Sequence, residues 1–183
     1  MLKKITIIAL SIFTAFTAHA DIFRVNKDYT YNLYYNGQSL TLQGYYFPKQ
    51  VLLAPRKDLH QVSNKSIVNS MRNFFTAYQQ HEKQWLKEHS TGPKKFFEQN
   101  YKYYTQLFFK DLAHIKGYAM YNNYIIIFLY KKETKQKMIF IIEKDQDEYK
   151  IALDFKALHP NQYKIIEESY KGHGDFIVNK GKI

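Results

Sequence analysis

Hydrophobic and polar positions follow two different periods along the chain. From Tyr29 to Phe47 apolar and polar residues alternate, which is the two-residue period of a strand with one buried face. Asn36-Gly37 stands in the middle of this stretch, and both residues tolerate the positive φ angles of a two-residue hairpin turn. The pattern therefore predicts a β-hairpin made of strands Tyr29–Tyr35 and Ser39–Phe47.

The region that follows has the period of a helix. At about 100° per residue, one continuous arc collects a row of apolar side chains. Its members are Ile67, Val68, Met71, Phe74, Phe75, Tyr78, Trp85 and Leu86. Ser63 or Ser66 can cap the start of this helix, and Gly92-Pro93 can end it. The pattern predicts one long helix.

A second helical segment, KKFFEQNYKYYTQLFF, mixes aromatic residues with lysines in sequence and separates them in space. With Pro93 in the first turn, its apolar arc consists of Phe96, Phe97, Tyr101, Tyr104, Leu107 and Phe108. The opposite side carries Lys95, Lys102 and Lys110, together with Gln99 and Gln106. Only Tyr103 and Phe109 stray from the arc. We therefore expect the aromatic residues in the core and the lysines in a solvated basic stripe, whereas a stacking platform for single strands needs both on one face.

Four strand candidates follow: IKGYAMY, YIIIFLYK, KMIFIIE and EYKIALDF. Short polar links join them, which favours an antiparallel meander. Runs such as Ile125–Leu129 are apolar on both faces, so the central strands need a cover on each side. PNQYKIIEESYKG predicts a short helix that ends at Gly172, and DFIVN is either a last strand or a tail.

These elements predict an α+β protein. An N-terminal β-hairpin is followed by two long amphipathic helices packed on a curved antiparallel β-meander, and a short C-terminal helix comes last. Residues 21–183 have the length of a single domain.

The first residues have the three parts of a secretory signal peptide. Lys3 and Lys4 precede an apolar run that is shorter than the roughly 20 residues of a membrane span. Ala18-His19-Ala20 then forms a small-x-small cleavage site. We expect a bacterial signal peptide, residues 1–20, cleaved between Ala20 and Asp21, and a protein that works in the periplasm or outside the cell without spanning the membrane.

Composition limits the chemistry. The chain has no cysteine, so disulfides, thiolate metal sites and cysteine nucleophiles are excluded. Loss of Lys3 and Lys4 with the signal peptide lowers the net charge from +11 to +9. Only Arg24, Arg56 and Arg72 are arginines, which argues against specific nucleic-acid binding, because base readout favours bidentate arginine. The lysine excess suits an acidic partner or an anionic surface, and it equally serves solubility.

The helix-then-meander order resembles the nuclear-transport-factor-two-like superfamily of cone-shaped α+β domains. The resemblance covers residues 63–155 and rests on SIVNSMRNFFTAYQQHEKQWL, followed by a meander that closes on DEYKIALDF. It implies a pocket between helix and sheet. The superfamily has no universal catalytic residues, so none is carried over. The hairpin before the helix departs from the pattern, and a cystatin-like or unrelated α+β sheet is the alternative.

No catalytic or cofactor motif stands out. The sequence has no H-E-x-x-H, G-x-S-x-G, phosphate-loop or G-x-G-x-x-G pattern, so we expect no metal, no cofactor and no catalytic residue of these kinds. Glu82 is the exception to the helical pattern, because it falls inside the apolar arc between Tyr78 and Trp85, with His89 on nearly the same line. These residues are candidates for a ligand pocket or an acid–base pair, unless the helix emerges into solvent there.

Three functions agree with this pattern. The first is an exported non-enzymatic binding module for a protein partner or a small ligand, such as an inhibitor, an immunity-type protein or a component of a surface assembly. The second is a lysine-rich module for an anionic polymer or membrane surface, with Lys95, Lys102 and Lys110 as its basic residues. The third is a small enzyme that uses Glu82 and His89. The lack of a catalytic signature favours the first.

Overall fold

The computed structural model describes residues 28–55, 57, 59, 63–108 and 112–181 of the chain. The predicted signal peptide and its cleavage site lie outside the described residues. The described part has an α+β fold with a large, mainly antiparallel sheet, an N-terminal hairpin and a short C-terminal helix. This confirms the predicted fold class. No helix in these described ranges is both long enough and apolar enough to cross a membrane.

One eight-stranded sheet runs through the protein. Its strands are β1 (Tyr29–Tyr35), β2 (Gln38–Leu53), β3 (Ser90–Thr91), β4 (Ala113–Tyr121), β5 (Tyr124–Lys131), β6 (Lys137–Asp145), β7 (Glu148–Ala152) and β8 (Asp175–Lys180). Their order across the sheet is β3-β7-β6-β5-β4-β2-β1-β8. All neighbours are antiparallel except β3 and β7, which are parallel. The predicted meander is β4 to β7.

The hairpin turn forms at the predicted residues. Asn36 and Gly37 have φ angles of 47° and 76°, as a two-residue turn with positive φ at both positions requires. Strand β2 continues beyond the predicted end at Phe47, with an irregularity between Tyr46 and Val51. DFIVN belongs to β8, which pairs with β1 at the edge of the sheet.

Five helices accompany the sheet in the described ranges. They are α1 (Ile67–Gln79), α2 (Lys83–Glu88), α3 (Phe97–Phe108), α4 (Phe155–Leu158) and α5 (Pro160–Lys171). Ser66 caps α1, since its side chain accepts a hydrogen bond from the Asn69 backbone N–H. A 3₁₀ turn, Lys94–Phe96, precedes α3, so that helix begins later than Pro93 suggests. Gly172, with a φ of 100°, ends α5 as predicted.

The prediction of one long helix before Gly92 is wrong, because the chain turns between α1 and α2. His81 has a φ of 59°, and its backbone N–H donates to Tyr78 O. The N–H of Glu82 donates to Ala77 O at 2.9 Å. These two bonds form the Schellman motif that ends helices, with His81 where glycine is usual. Histidine enters the left-handed region more readily than most residues, so it can occupy this position. Because the usual glycine is absent, the sequence carries no recognisable signal that the helix ends here.

The sheet separates two hydrophobic cores. Ile125, Ile127 and Leu129 of β5 face the core that contains α1 and α3. Ile126 and Phe128 face the core that contains α4 and α5. The second cover that the doubly apolar strands require is therefore the pair of C-terminal helices.

The aromatic stretch divides as its periodicity predicts. Phe97 and Phe108 of α3 are 2% and 0% exposed, and Tyr104 is also buried. Lys102, on the other side, is exposed. Tyr103, which strays from the apolar arc, is 48% exposed. The aromatic residues of α3 are thus mainly core, and Tyr103 is left at the surface.

Candidate functional site: a cleft at the edge of the sheet

Strand β6 has a free half-edge. Strand β7 pairs with it only over Ile142 to Asp145, so the half from Lys137 to Ile141 has no strand neighbour on that side in the described part of the chain. Helices α3 and α5, which pack on opposite faces of the sheet, both border this gap. The Tyr104 hydroxyl donates to Ile139 O at 2.8 Å and so satisfies one carbonyl near the edge.

A cleft of about 490 Å³ occupies this position. This volume lies in the range of small-molecule sites. Its walls come from α3 and the turn before it, from α4 and α5, from Ile141 in the middle of β6, and from the end of β7. The lining residues are Phe96, Gln99, Asn100, Tyr103, Tyr104, Ile141, Ile151, Ala152, Leu153, Phe155, Lys156, Ala157, Tyr163, Glu167 and Lys171.

On the α5 side, Glu167 is the centre of a polar group. Its Oε1 lies 2.9 Å from Lys171 Nζ and accepts a hydrogen bond from the Tyr163 hydroxyl at 3.3 Å. Burial, followed by the Glu167 carboxylate, raises the pKa of Tyr163. Burial lowers the pKa of Lys171, but its hydrogen bond and charge interactions with Glu167 outweigh this, and the net shift is upward. At neutral pH the cleft thus holds a neutral phenol beside an ion pair.

On the α3 side, Tyr103 responds to the same charges. Burial and the Glu167 carboxylate raise its pKa, while Lys171 opposes the shift. Its ring meets the Tyr104 ring edge-on, with 4.9 Å between the centroids. Tyr103 and Glu167 both line the cleft, so Tyr103 faces α5 across it, although the two helices pack on opposite faces of the sheet.

Asn100 is held from behind. The buried Tyr78 hydroxyl donates to Asn100 Oδ1 at 2.7 Å. The Asn100 amide NH₂ makes no hydrogen bond to another described residue, so it is the group available to a ligand. Tyr78, a predicted pocket residue, thus acts on the cleft through Asn100 without lining it.

The other predicted pocket residues lie outside the cleft. Trp85 is half-buried against Phe74, with 5.9 Å between ring centroids. His89 stacks on Trp85 at 3.9 Å, and its Nδ1 lies 2.8 Å from Trp85 O. Glu82 is half-buried at the N-terminus of α2 and makes no capping hydrogen bond with its side chain.

The structure does not bring Glu82 and His89 together as an acid–base pair. They flank α2 at its two ends, as the N-cap and the C-cap. At about 1.5 Å of rise per residue, a helix of this length separates them by roughly 10 Å. The turn at His81 removes Glu82 from the apolar arc, so the prediction that it lies in line with Tyr78 on one helix is wrong.

Of the predicted basic residues, Lys95 and Lys102 are described, and they lie on different elements. Lys95 is exposed in the 3₁₀ turn, with its Nζ 5.0 Å from the centroid of the Phe96 ring. Lys102 is exposed on α3. Lys110 lies outside the described residues. In the ranges that the structure describes, no three histidine, aspartate or glutamate side chains gather to hold a metal ion.

Sequence reasoning missed the cleft because its residues come from distant segments. One local signal was present: Tyr103 is the aromatic residue of α3 that departs from the apolar arc, and it lines the cleft. Glu167 and Lys171 are one turn apart on α5, a spacing that is ordinary for a surface ion pair. Nothing local shows that α5 faces α3.

Neither a protein family, nor a curated protein, nor a solved structure matches this chain. The resemblance to the nuclear-transport-factor-two-like superfamily stays a prediction.

Proposed function

We propose that this protein is an exported, non-enzymatic binding module, and that the cleft between α3 and α5 is its ligand site. The proposal rests on one observation. Tyr103 and the Glu167–Lys171 pair lie on helices that pack on opposite faces of the sheet, and all three residues line the same cleft. An exposed aromatic ring, an amide and a partly exposed ion pair meeting in one concavity are typical of a binding site.

The chemistry of the cleft suits a neutral saccharide of one or two rings. The rings of Phe96, Tyr103 and Tyr163 offer apolar surfaces for the C–H face of a sugar. The amides of Gln99 and Asn100 provide directional hydrogen bonds for hydroxyl groups. Glu167 and Lys171 neutralise each other, and Lys156, whose Nζ lies 4.9 Å from the centroid of the Tyr163 ring, leaves the lining with one net positive charge.

Export forms the second half of the proposal and rests on the N-terminal sequence. Lys3, Lys4, the apolar run and Ala18-His19-Ala20 support cleavage before Asp21. Mass spectrometry of the protein recovered from its native cells should give a chain that begins at Asp21. A mature chain that retains Met1 would contradict export by this route.

Calorimetric titration with neutral sugars tests the ligand site. The panel consists of glucose, N-acetylglucosamine, cellobiose and chitobiose, with anionic acetate and zwitterionic glycine as non-sugar controls. We expect at least one sugar to bind, and Tyr103→Ala to weaken that sugar roughly tenfold, because loss of a stacked ring removes about 1 kcal/mol or more.

Tyr34→Ala is the matched control. Tyr34 and Tyr103 are both 48% exposed, so the two substitutions remove a similar amount of surface ring. Tyr34 belongs to β1, away from the cleft, and its loss should leave the affinity unchanged. Equal effects of the two variants, or no binding by any sugar in the panel, would contradict the proposed site.

A further inference from the structure

A second cluster of polar groups lies on the α5 side of the sheet, outside the cleft. A register shift between Ile115 and Gly117 makes a bulge in β4 and sets Lys116 apart from the pairing. Lys116 Nζ lies 4.6 Å from the centroid of the Tyr130 ring. Tyr130 is paired with Lys137 of β6, and residues that face each other across two strands share one side of the sheet.

Helix α5 identifies that side. Lys137 Nζ lies 5.8 Å from the centroid of the Tyr170 ring, and Tyr170 belongs to the core of α4 and α5. Ile126 and Phe128 of β5 face the same core, so Tyr130 continues their alternation. Both ammonium groups therefore sit over aromatic rings at one end of this face.

The two positive charges have no carboxylate partner in the described part of the chain. Neither Lys116 nor Lys137 forms an ion pair with a described residue. The carboxylates of the nearby end of α5, Glu167 and Glu168, are already engaged by Lys171 and His173. The C-terminus of α5 adds only the partial negative charge of a helix end.

The pKa of Lys116 agrees with a position close to the second ammonium group. Lys116 is half-buried, and burial followed by the positive charge of Lys137 lowers its pKa. Two ammonium groups close together without a counter-charge are unfavourable, so the fold retains them at a cost in stability. Repulsion between like charges that no carboxylate offsets is a feature that functional sites retain.

Two tyrosine hydroxyls accompany the lysines. Tyr46 of β2 pairs with Gly117, next to the bulge, and the charge interactions of Tyr46 and Tyr130 add to burial in raising the pKa of Tyr170. Tyr170 is satisfied, because its hydroxyl donates to Leu129 O at 3.0 Å. Tyr46 and Tyr130 are half-buried, and their hydroxyls make no hydrogen bond to a described residue.

We propose that Lys116, Lys137, Tyr46 and Tyr130 form a binding site for a phosphate group. Two ammonium groups match the charge of a phosphate dianion, and two phenol hydroxyls add neutral donors. A bound phosphate would form charge-assisted hydrogen bonds with the lysines and remove their mutual repulsion. The phosphate group can come from a soluble phosphate or from a lipid headgroup. This site is independent of the cleft.

Titration of the purified protein with inorganic phosphate at low ionic strength and mildly alkaline pH tests the site. We expect Lys116→Met and Lys137→Met each to weaken phosphate binding roughly tenfold or more, the loss of one charge-assisted hydrogen bond. Tyr130→Phe, which removes only a hydroxyl, should weaken it by a smaller factor. Lys102→Met removes an equal charge from an exposed position of α3 and should change the affinity less than about twofold.

Folding of the variants is checked by their thermal unfolding. Without phosphate, Lys116→Met should unfold at a temperature equal to or above that of the wild type, because it removes a repelled, half-buried charge. Phosphate should raise the unfolding temperature of the wild type and not that of Lys116→Met. Equal losses of affinity in Lys102→Met and Lys116→Met would overturn the proposal, as would displacement of phosphate by chloride at equal ionic strength.

Vesicles distinguish the two sources of phosphate. Binding to vesicles that contain phosphatidic acid, but not to pure phosphatidylcholine, with the same dependence on Lys116 and Lys137, would assign the site to a lipid headgroup. Binding of inorganic phosphate alone would assign it to a soluble ligand. Both results support the site, and binding to neither phosphate source overturns it.

Discussion

The Tyr78 hydroxyl donates a 2.7 Å hydrogen bond to Asn100 Oδ1, which joins the centre of the α1 core to the wall of the cleft. Tyr78 is fully buried, and Asn100 is half-buried on α3. This bond orients the amide that lines the cleft and satisfies a phenol that has no access to water. Tyr78, a predicted pocket residue, thus lies behind Asn100 and holds it in place without lining the cleft itself.

We predict that Asn100→Ala lowers the free energy of unfolding by about 1–3 kcal/mol, because it leaves the buried Tyr78 hydroxyl without an acceptor. Tyr78→Phe removes that hydroxyl, so the double variant should lose less than the sum of the two single losses. Urea unfolding of the four proteins measures the coupling. Additive losses would mean that the hydrogen bond contributes nothing.

The aromatic face of α3 should dominate its contribution to stability. Phe97→Ala removes a buried ring and should lower the free energy of unfolding by roughly 3 kcal/mol or more. Lys102→Ala, on the exposed side, should change it by less than about 0.5 kcal/mol. Chemical denaturation checks both, and similar values for the two variants would show that the orientation of α3 is wrong.

Replacing His81 by glycine should relieve backbone strain in the turn between α1 and α2. His81 adopts a φ of 59°, which is unfavourable for any residue with a Cβ. His81→Gly should therefore be more stable than His81→Ala by about 1 kcal/mol, since both variants lose the imidazole and only alanine retains the strained backbone. If alanine were the more stable, α1 would continue through this position, as the sequence pattern suggests.

The end of α5 should contribute to stability against acid. A hydrogen bond from His173, whose Nδ1 lies 2.7 Å from Glu168 Oε2, outweighs burial and holds the pKa of Glu168 below its usual value of 4.5. A carboxyl with a depressed folded-state pKa stabilises the fold above its unfolded-state value and loses that contribution as the pH falls through the folded-state value. The affected window therefore lies below about pH 4.5.

In that window the free energy of unfolding of Glu168→Gln should fall less steeply with decreasing pH than that of the wild type, because the variant has no carboxylate to protonate at this position. Glu133→Gln, at an exposed turn residue, is the control and should leave the loss of stability at acid pH as it is in the wild type. Urea midpoints measured between pH 3 and pH 7 give the comparison. Parallel curves for Glu168→Gln and the wild type would show that the pair with His173 does not form in solution.

Periodicity and turn residues in the sequence predicted most helices and strands. The features that were missed depend on backbone conformation and packing that no local pattern shows. Asn36-Gly37 and Gly172 mark turns with residues that favour positive φ, so those boundaries could be predicted. His81 adopts a similar conformation without such a signal, and the break between α1 and α2 was missed. The displacement of Glu82 from the apolar arc follows from that single residue.

The candidate site depends on how segments far apart in sequence meet. The doubly apolar β5 showed that two covers were needed, but not that α5 lies close enough to α3 to close a cleft. Tyr103 was visible as an exception to the helical pattern, although nothing in the sequence placed Glu167 across the same cleft. An irregular position in a periodic pattern indicates a contact, while the identity of the contact comes from the tertiary structure.

Backbone amide NMR during titration with the tightest-binding sugar of the panel tests the central claim most directly. If the cleft is the ligand site, shifts should appear together in residues 99–104 of α3 and residues 163–171 of α5, with one common dissociation constant. Helix α2, with Glu82 and His89 at its ends, should be unaffected. Shifts confined to α2, or to only one of the two helices of the cleft, would contradict the account.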